Sequence, residues 1–378
     1  MKFLMSRAEL SDLVNGVQNI VSQRTPMPIL SNILIEAGQN EITVTATDLT
    51  VGVRCTAQAK VLEPGSTTLP ARRFAQLLRE MNVSYIEMAT DEKDVSQIIA
   101  DSSSFRMNGM PRSDFPELPS LKGFEPVLVP QKDLKEALYQ TSFAVSREDT
   151  RYMLTGVMVS VQDSKALFVG TDGKRLARAV LAVTCPDTTT FECIIPAKAV
   201  DEILKTLSDS DEPAALYFMR DKIAVQVSNR LVISKLLTGD FPDIDRIIPR
   251  QFSCVVPLHK EELSALLRQM SLFILETTQS ARFSFTEGSL NLSANAADIG
   301  DGKVSMAIHY SGPRFDIAFH PGFFLDILKH SHGEYVYMGF QDAFNPAALS
   351  EKEFSKSLEE LPSPLFVLMP MRLSEENS

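Results

Sequence analysis

Two apolar helix stripes recur three times along this chain of 378 residues, and that recurrence limits its fold more than any other feature. Leu10, Leu13, Val14, Val17, Ile20 and Val21 have the i, i+3, i+4, i+7 spacing of one buried helix face. Adding 124 to each number gives Leu134, Ala137, Leu138, Thr141, Ala144 and Val145, and a further 129 gives Leu263, Leu266, Leu267, Met270, Phe273 and Ile274. Only Thr141 is polar in the whole set. The second stripe, Phe74, Leu77, Leu78 and Met81, maps onto Val200, Ile203, Leu204 and Leu207, then onto Phe324, Ile327, Leu328 and Ser331. A proline precedes that helix each time, at Pro70, Pro196 and Pro321, close to the first-turn position where a missing N–H costs nothing. Such a long period means tandem domains of about 126 residues, each with two helices.

The rest of each copy reads as sheet. Glu41-Ile42-Thr43-Val44-Thr45 and Ser289-Leu290-Asn291-Leu292-Ser293 alternate polar and apolar residues as half-buried strands do. Short turn signals such as Ala37-Gly38-Gln39-Asn40 join neighbouring strands, which predicts antiparallel hairpins. Proline-rich joints, Phe115-Pro116-Glu117-Leu118-Pro119 and Phe241-Pro242-Asp243 through Pro249, fall between copies. The expected fold class is α+β, three tandem two-helix, antiparallel-sheet domains at 1–122, 123–250 and 251–378, joined by semi-rigid connectors.

The copies share basic positions on their polar helix faces. At about 100° per residue from Phe74, Arg72 and Arg79 point away from the apolar stripe. Their equivalents are Lys198 and Lys205, then Gly322 and Lys329, so five of six are basic. One reading is an ordinary solvated face; the other is a surface that tracks phosphates without reading bases. The net charge of −11 speaks against nucleic acid only until it is divided. Residues 1–125 carry 12 basic and 15 acidic groups, residues 126–253 carry 16 and 17, and residues 254–378 carry 9 and 16. The acidity is therefore concentrated in the last copy.

No catalytic residues are expected. The five histidines form no metal-binding motif, so no metal and no cofactor is expected, and Gly170-Thr171-Asp172-Gly173-Lys174-Arg175 is too short for a phosphate loop and has Arg where its hydroxyl belongs. Neither a nucleophile elbow nor a paired-carboxylate site stands out, Asp209 to Glu212 reading as a solvated loop. Cys55, Cys185, Cys193 and Cys254 lack C-x-x-C spacing and read as small buried hydrophobes of a reducing compartment. With no apolar run of membrane-spanning length, a cytoplasmic protein without a membrane partner is expected.

Thr171-Asp172-Gly173-Lys174-Arg175-Leu176-Ala177, Arg151-Tyr152-Met153-Leu154, Gly239-Asp240-Phe241-Pro242-Asp243 and Leu368-Met369-Pro370-Met371-Arg372-Leu373 together resemble the bacterial DNA polymerase III β subunit family, the sliding clamps, and the resemblance runs over essentially the whole chain. It implies a DNA clamp fold, a head-to-tail homodimeric ring with helices lining a hole around double-stranded DNA, and no catalytic activity. It implies DNA-facing roles for Arg24, Arg72, Arg73, Tyr152 and Lys198, which Arg79 and Lys205 join from the self-alignment. It implies a partner-peptide pocket of Leu154, Thr171, Gly173, Arg175, Leu176, Pro242, Arg246, Ile247, Val367, Met369, Pro370 and Met371, with Arg372 beside it. Implied partners are the polymerase III catalytic subunit, the clamp loader, repair and translesion polymerases, ligase and mismatch-repair proteins. Phe105, Met107, Leu272 and Phe273 take the dimer-seam positions, although Leu272 and Phe273 could equally complete a helix stripe, and Met369 and Met371 alone could equally be core. The chain departs from the family in Asp298, Asp301 and Lys303 near the seam, in a long segment from Asn345 to Ser363, and in a tail, Ser374 to Ser378, expected to partly cover the pocket. The alternative function is a repeat scaffold that binds only proteins.

Overall fold

A computed structural model describes residues 1–21, 25–186, 190–274, 280–296 and 299–372, without the side chains of 149 and 150. It contains six α-helices among the described residues: α1 (Arg7–Val17), α2 (Ala71–Glu80), α3 (Gln131–Ser142), α4 (Ala197–Thr206), α5 (Lys260–Met270) and α6 (Pro321–Lys329). They fall two to a copy, as the stripes predict. Each first helix is shorter than its stripe. Ile20 and Val21, Ala144 and Val145, and Phe273 and Ile274 lie just past the helix ends, and the first four of these are buried all the same, because the chain goes on in tight turns over the same core. Pro321 is the first residue of α6 rather than its predecessor. His320 and His259 cap α6 and α5, Nδ1 accepting an N–H three residues on at 3.3 Å, the role Ser6 plays for α1.

The described residues form two compact units. The first comprises residues 1–132 and 198–236, the second 133–197 and 237–378. In the first, Arg230–Lys235 pairs antiparallel with Val51–Gln58, so strands of the first and middle copies make one eight-stranded sheet. In the second, Arg175–Ala182 pairs antiparallel with Leu365–Leu368, joining the middle and last copies likewise. Each sheet thus runs through a copy boundary, and strand edges that separate domains would expose are covered. A five-stranded sheet completes the first unit and a four-stranded sheet the second, and every ladder is antiparallel.

The cores follow the stripes. Ala71, Phe74, Ala75 and Leu78 bury one face of α2, and α1 packs against it. In the second unit Phe283 stacks on Phe324 of α6 at 5.4 Å and meets Phe319 edge-on at 5.3 Å. Truncating any of these rings costs about 3–5 kcal/mol. The segment after Ala347–Ser350 is a strap: the Leu358 N–H donates to the Arg250 carbonyl and the Phe252 N–H to the Lys356 carbonyl, both at 2.8 Å. Phe354, Leu358 and Leu361 then pack with Ile248 and Phe252. Cys55 and Cys193 are buried, but Cys185 and Cys254 are only half-buried because each sits at a strand margin, which corrects the expectation for those two. No described helix is long and apolar enough to cross a membrane.

Candidate peptide groove, basic helix faces and edge strands

The groove begins with a turn. Between the strands Lys165–Thr171 and Arg175–Ala182, Thr171 Oγ1 donates to the Arg175 carbonyl at 2.6 Å and accepts the Gly173 N–H at 3.1 Å. Asp172 Oδ1 accepts the Lys174 and Arg175 N–H groups at 2.9 and 3.0 Å. Gly173 sits at φ +84°, the left-handed region that favours glycine, with the movable Arg151 guanidinium end close by. The Met369 N–H donates to the Lys174 carbonyl at 3.0 Å and the Met371 N–H to the Ala318 carbonyl at 2.8 Å. These bonds seat the terminal motif between the turn and the four-stranded sheet. Leu176 and Val367, cross-strand partners, share an apolar cluster with Met153, Phe241 and Ile244. Leu154 is buried, Ile247, Pro370 and Met371 are half-buried, and Pro242, Arg246, Met369 and Arg372 are exposed. Met369 and Met371 are therefore not core residues. Leu373 and the tail 374–378 lie outside the described residues.

Arg175 is bound by its own chain. Its Nε meets Asp172 Oδ2 at 3.1 Å, Nη1 meets Asp326 Oδ2 at 2.5 Å, and Nη2 donates to the Phe143 carbonyl at 2.9 Å. The guanidinium also lies over the rings of Phe323 and Phe143, 4.6 and 5.3 Å from their centroids. With its side chain only 10% exposed, Arg175 fixes the turn to α3 and α6 and has few donors left for a ligand. The sequence pattern named Arg175 but not Phe143, which follows α3 in the same copy, nor Phe323 and Asp326, which lie on α6 of the last copy.

His330 stacks on Phe143 at 4.2 Å beside this network. Burial holds His330 below the ordinary histidine pKa, against the pull of the Asp326 carbonyl bonded to Nδ1. Burial, with Lys174 and Arg175 nearby, lowers His320 as well. A folded-state pKa below the unfolded value near 6.5 means stability present above pH 6.5 and lost as pH falls through the lowered values. His330→Phe should reduce the fall in unfolding free energy, measured by urea titration, between pH 7.5 and 5, by up to about 1.4 kcal/mol per pH unit. An unchanged pH profile would refute the assignment.

On the basic helix faces Arg72, Arg73, Arg79, Lys198, Lys205 and Lys329 are all exposed, as is Tyr152 at 55%. Arg24 lies outside the described residues. Sequence reasoning missed two acids here: Lys198 Nζ bonds Asp48 Oδ2, and Lys205 Nζ bonds Glu202 Oε1 at 2.6 Å. Burial pushes Asp48 up, but the Lys198 ammonium and the Val51 and Thr50 amides outweigh it and hold the carboxyl below its usual range. Both lysines are more than half exposed, so each pair contributes about 0–1 kcal/mol and can exchange for a phosphate.

The seam candidates sit at sheet edges. Ser103–Asn108, with exposed Phe105 and half-buried Met107, is an edge strand of the five-stranded sheet, pairing only with Val95–Ala100 among the described residues. Gly300–Ala307, carrying Asp301 and Lys303, is an edge of the four-stranded sheet and pairs only with Ser289–Ala296 among them. Leu272 is 72% exposed and does not complete the α5 stripe, whereas Phe273 packs half-buried against the core beside Gly302. Asp298 lies outside the described residues.

Three tandem two-helix, antiparallel-sheet domains define a clamp-type fold, and solved structures agree. The chain superposes on the DNA polymerase sliding clamp from Bacillus subtilis with a TM-score of 0.92 at 26% identity, covering 99% of this chain and 100% of that one. A sliding clamp (DNA polymerase III subunit beta) from Pseudomonas aeruginosa bound to griselimycin gives the same values. The N-terminal, central and C-terminal domain families of the DNA polymerase III beta subunit match residues 1–119, 128–243 and 245–365. The beta sliding clamp of Chlamydia pneumoniae is 45% identical over 376 residues, all of both chains. The chain belongs to the DNA polymerase III beta subunit family, the beta sliding clamps, and its function is that of a DNA polymerase processivity clamp.

Proposed function

We propose that two copies of this chain close head to tail into a non-catalytic ring around double-stranded DNA, in the cytoplasm. The observation that carries this reading is that the seam candidates of the first and last copies sit at edge strands, Ser103–Asn108 and Gly300–Ala307 with the turn Ser271–Phe273 beside it. Antiparallel pairing of one with the other across subunits satisfies both rows of backbone groups, and a heterologous contact used twice closes as a ring. Phe105, Met107, Leu272 and Phe273 supply the apolar part of that seam. Domain limits of 1–122, 123–250 and 251–378 place one seam strand in each outer domain.

Arg24, Arg72, Arg73, Arg79, Tyr152, Lys198 and Lys205 then face the duplex. Their phosphate contacts are sequence-independent and individually weak, so the ring slides, and release requires opening a seam. The groove around Leu154, Thr171, Gly173, Leu176, Val367 and Met369 binds short peptides of the polymerase III catalytic subunit, the clamp loader, translesion polymerases, ligase and mismatch-repair proteins. Leu and Met side chains suit such varied ligands. A scaffold binding only proteins is favoured by one observation, the engagement of Lys198 and Lys205 by acids of their own chain.

Sedimentation equilibrium at micromolar concentration is expected to give twice the chain mass, and Phe105→Asp to give monomer. After loading by a clamp loader, protein should stay on nicked circular DNA and leave when the circle is cut. A persistent wild-type monomer, or equal retention on circle and linear DNA, would sink the ring.

A further inference from the structure

The turn at Thr47–Val51 reproduces the groove turn bond for bond, 124 residues earlier. Thr47 Oγ1 donates to the Val51 carbonyl and accepts the Leu49 N–H, both at 3.0 Å, and Asp48 Oδ1 accepts the Thr50 and Val51 N–H groups at 2.8 and 2.7 Å. The cross-strand register is also repeated: Gly52 faces Ile233 where Leu176 faces Val367. The joint repeats too, Phe115-Pro116-Glu117-Leu118 standing for Phe241-Pro242-Asp243-Ile244. Between these pieces, within the first unit, lies a groove of about 260 Å³.

We propose that this groove is a second peptide site, taking a short extended segment of a partner protein with an aliphatic side chain flanked by carboxylates. The volume fits one or two side chains rather than a drug-sized ligand. Its floor is Gly52, Ile233 and Leu118, the last packed so close that a Cβ on Gly52 would meet Leu118 Cδ2 at 2.5 Å. The rim is basic, with Lys222 and Lys235. Among the described residues Lys222 pairs with its neighbour Asp221, whose side chain is 69% exposed and which a ligand carboxylate can replace. Glu117 on the other lip is engaged by Arg112 at 3.8 Å.

Leu49 gives a separate pointer. It lies at φ +75° where the sister turn has Gly173, a conformation that disfavours a side chain, and yet its side chain stays 42% exposed at the rim. Strain kept for an apolar group that is left 42% exposed points to a contact made with something else. The ligand class rests on the peptide-groove reading above; the place of the site does not.

The test uses methyl-labelled full chain titrated with Ac-Asp-Leu-Leu-Asp-NH2. Saturable shifts are expected at Leu49, Leu118 and Ile233, as well as at Leu154, Leu176 and Val367. Leu49→Gly, which installs the sister residue and keeps the turn, and Lys222→Glu with Lys235→Glu should each weaken the first response about tenfold and leave the second unchanged. No saturable shift at the first three methyls overturns the proposal, as does unaltered affinity in both variants. Response at the first set alone supports the second site and removes the peptide-groove reading, whereas silence at both sets overturns both.

Discussion

Replacing Arg175 with methionine should lower unfolding free energy by about 2–3 kcal/mol and abolish most peptide binding. The side chain carries two ion pairs and a carbonyl bond at once, and it is nearly buried. Methionine fills much of the same space but leaves Asp172 and the Phe143 carbonyl without their donor. Breaking a fully buried pair costs about 3–5 kcal/mol; Asp326 is 46% exposed and rehydrates, which brings the figure down. Arg175→Lys keeps the charge and loses the fork, so about half the loss should remain. Urea unfolding at constant m-value measures it. A loss under about 0.5 kcal/mol would show that the network does not hold the turn. The affinity loss follows from geometry, because the turn that seats Met369 hangs from this guanidinium.

That dependence also shows where sequence reading succeeds and where it stops. The stripes at Leu10 and Phe74 repeat because each copy must bury the same helix faces, so domain number and helix positions were legible from self-alignment, and antiparallel sheets from alternating residues and turn signals. Helix ends were not, since Ile20 and Val21 remain buried after the helix has turned. The seating of Met369 and Met371 against Lys174 and Ala318 joins residues far apart in the chain, and no spacing rule contains it. Asp48 escaped because it lies 150 residues from Lys198, whereas Glu202, three residues before Lys205 on α4, was within reach of the i,i+3 spacing rule. The Thr-Asp pair shared by Thr47-Asp48 and Thr171-Asp172 was the available signal for the turns.

Those acids set the terms of the DNA prediction. Replacing Arg72, Arg79, Lys198 and Lys205 together with alanine should flatten the dependence of log K on log salt by about 3.6 per chain, if each meets one phosphate. At 0.1 M salt that is a loss on the order of 10³ in affinity for duplex. Lys198 and Lys205 start out paired, so binding DNA means exchanging Asp48 and Glu202 for phosphates. Asp48→Asn and Glu202→Gln should therefore act in the opposite direction, freeing both lysines and tightening binding several-fold at low salt, with the gain fading as salt rises. A solvated face, as a protein-only scaffold would have, predicts no change in either set. Opposite shifts from the two sets identify the lysines as the groups that meet the duplex, because loss of fold would weaken binding in both.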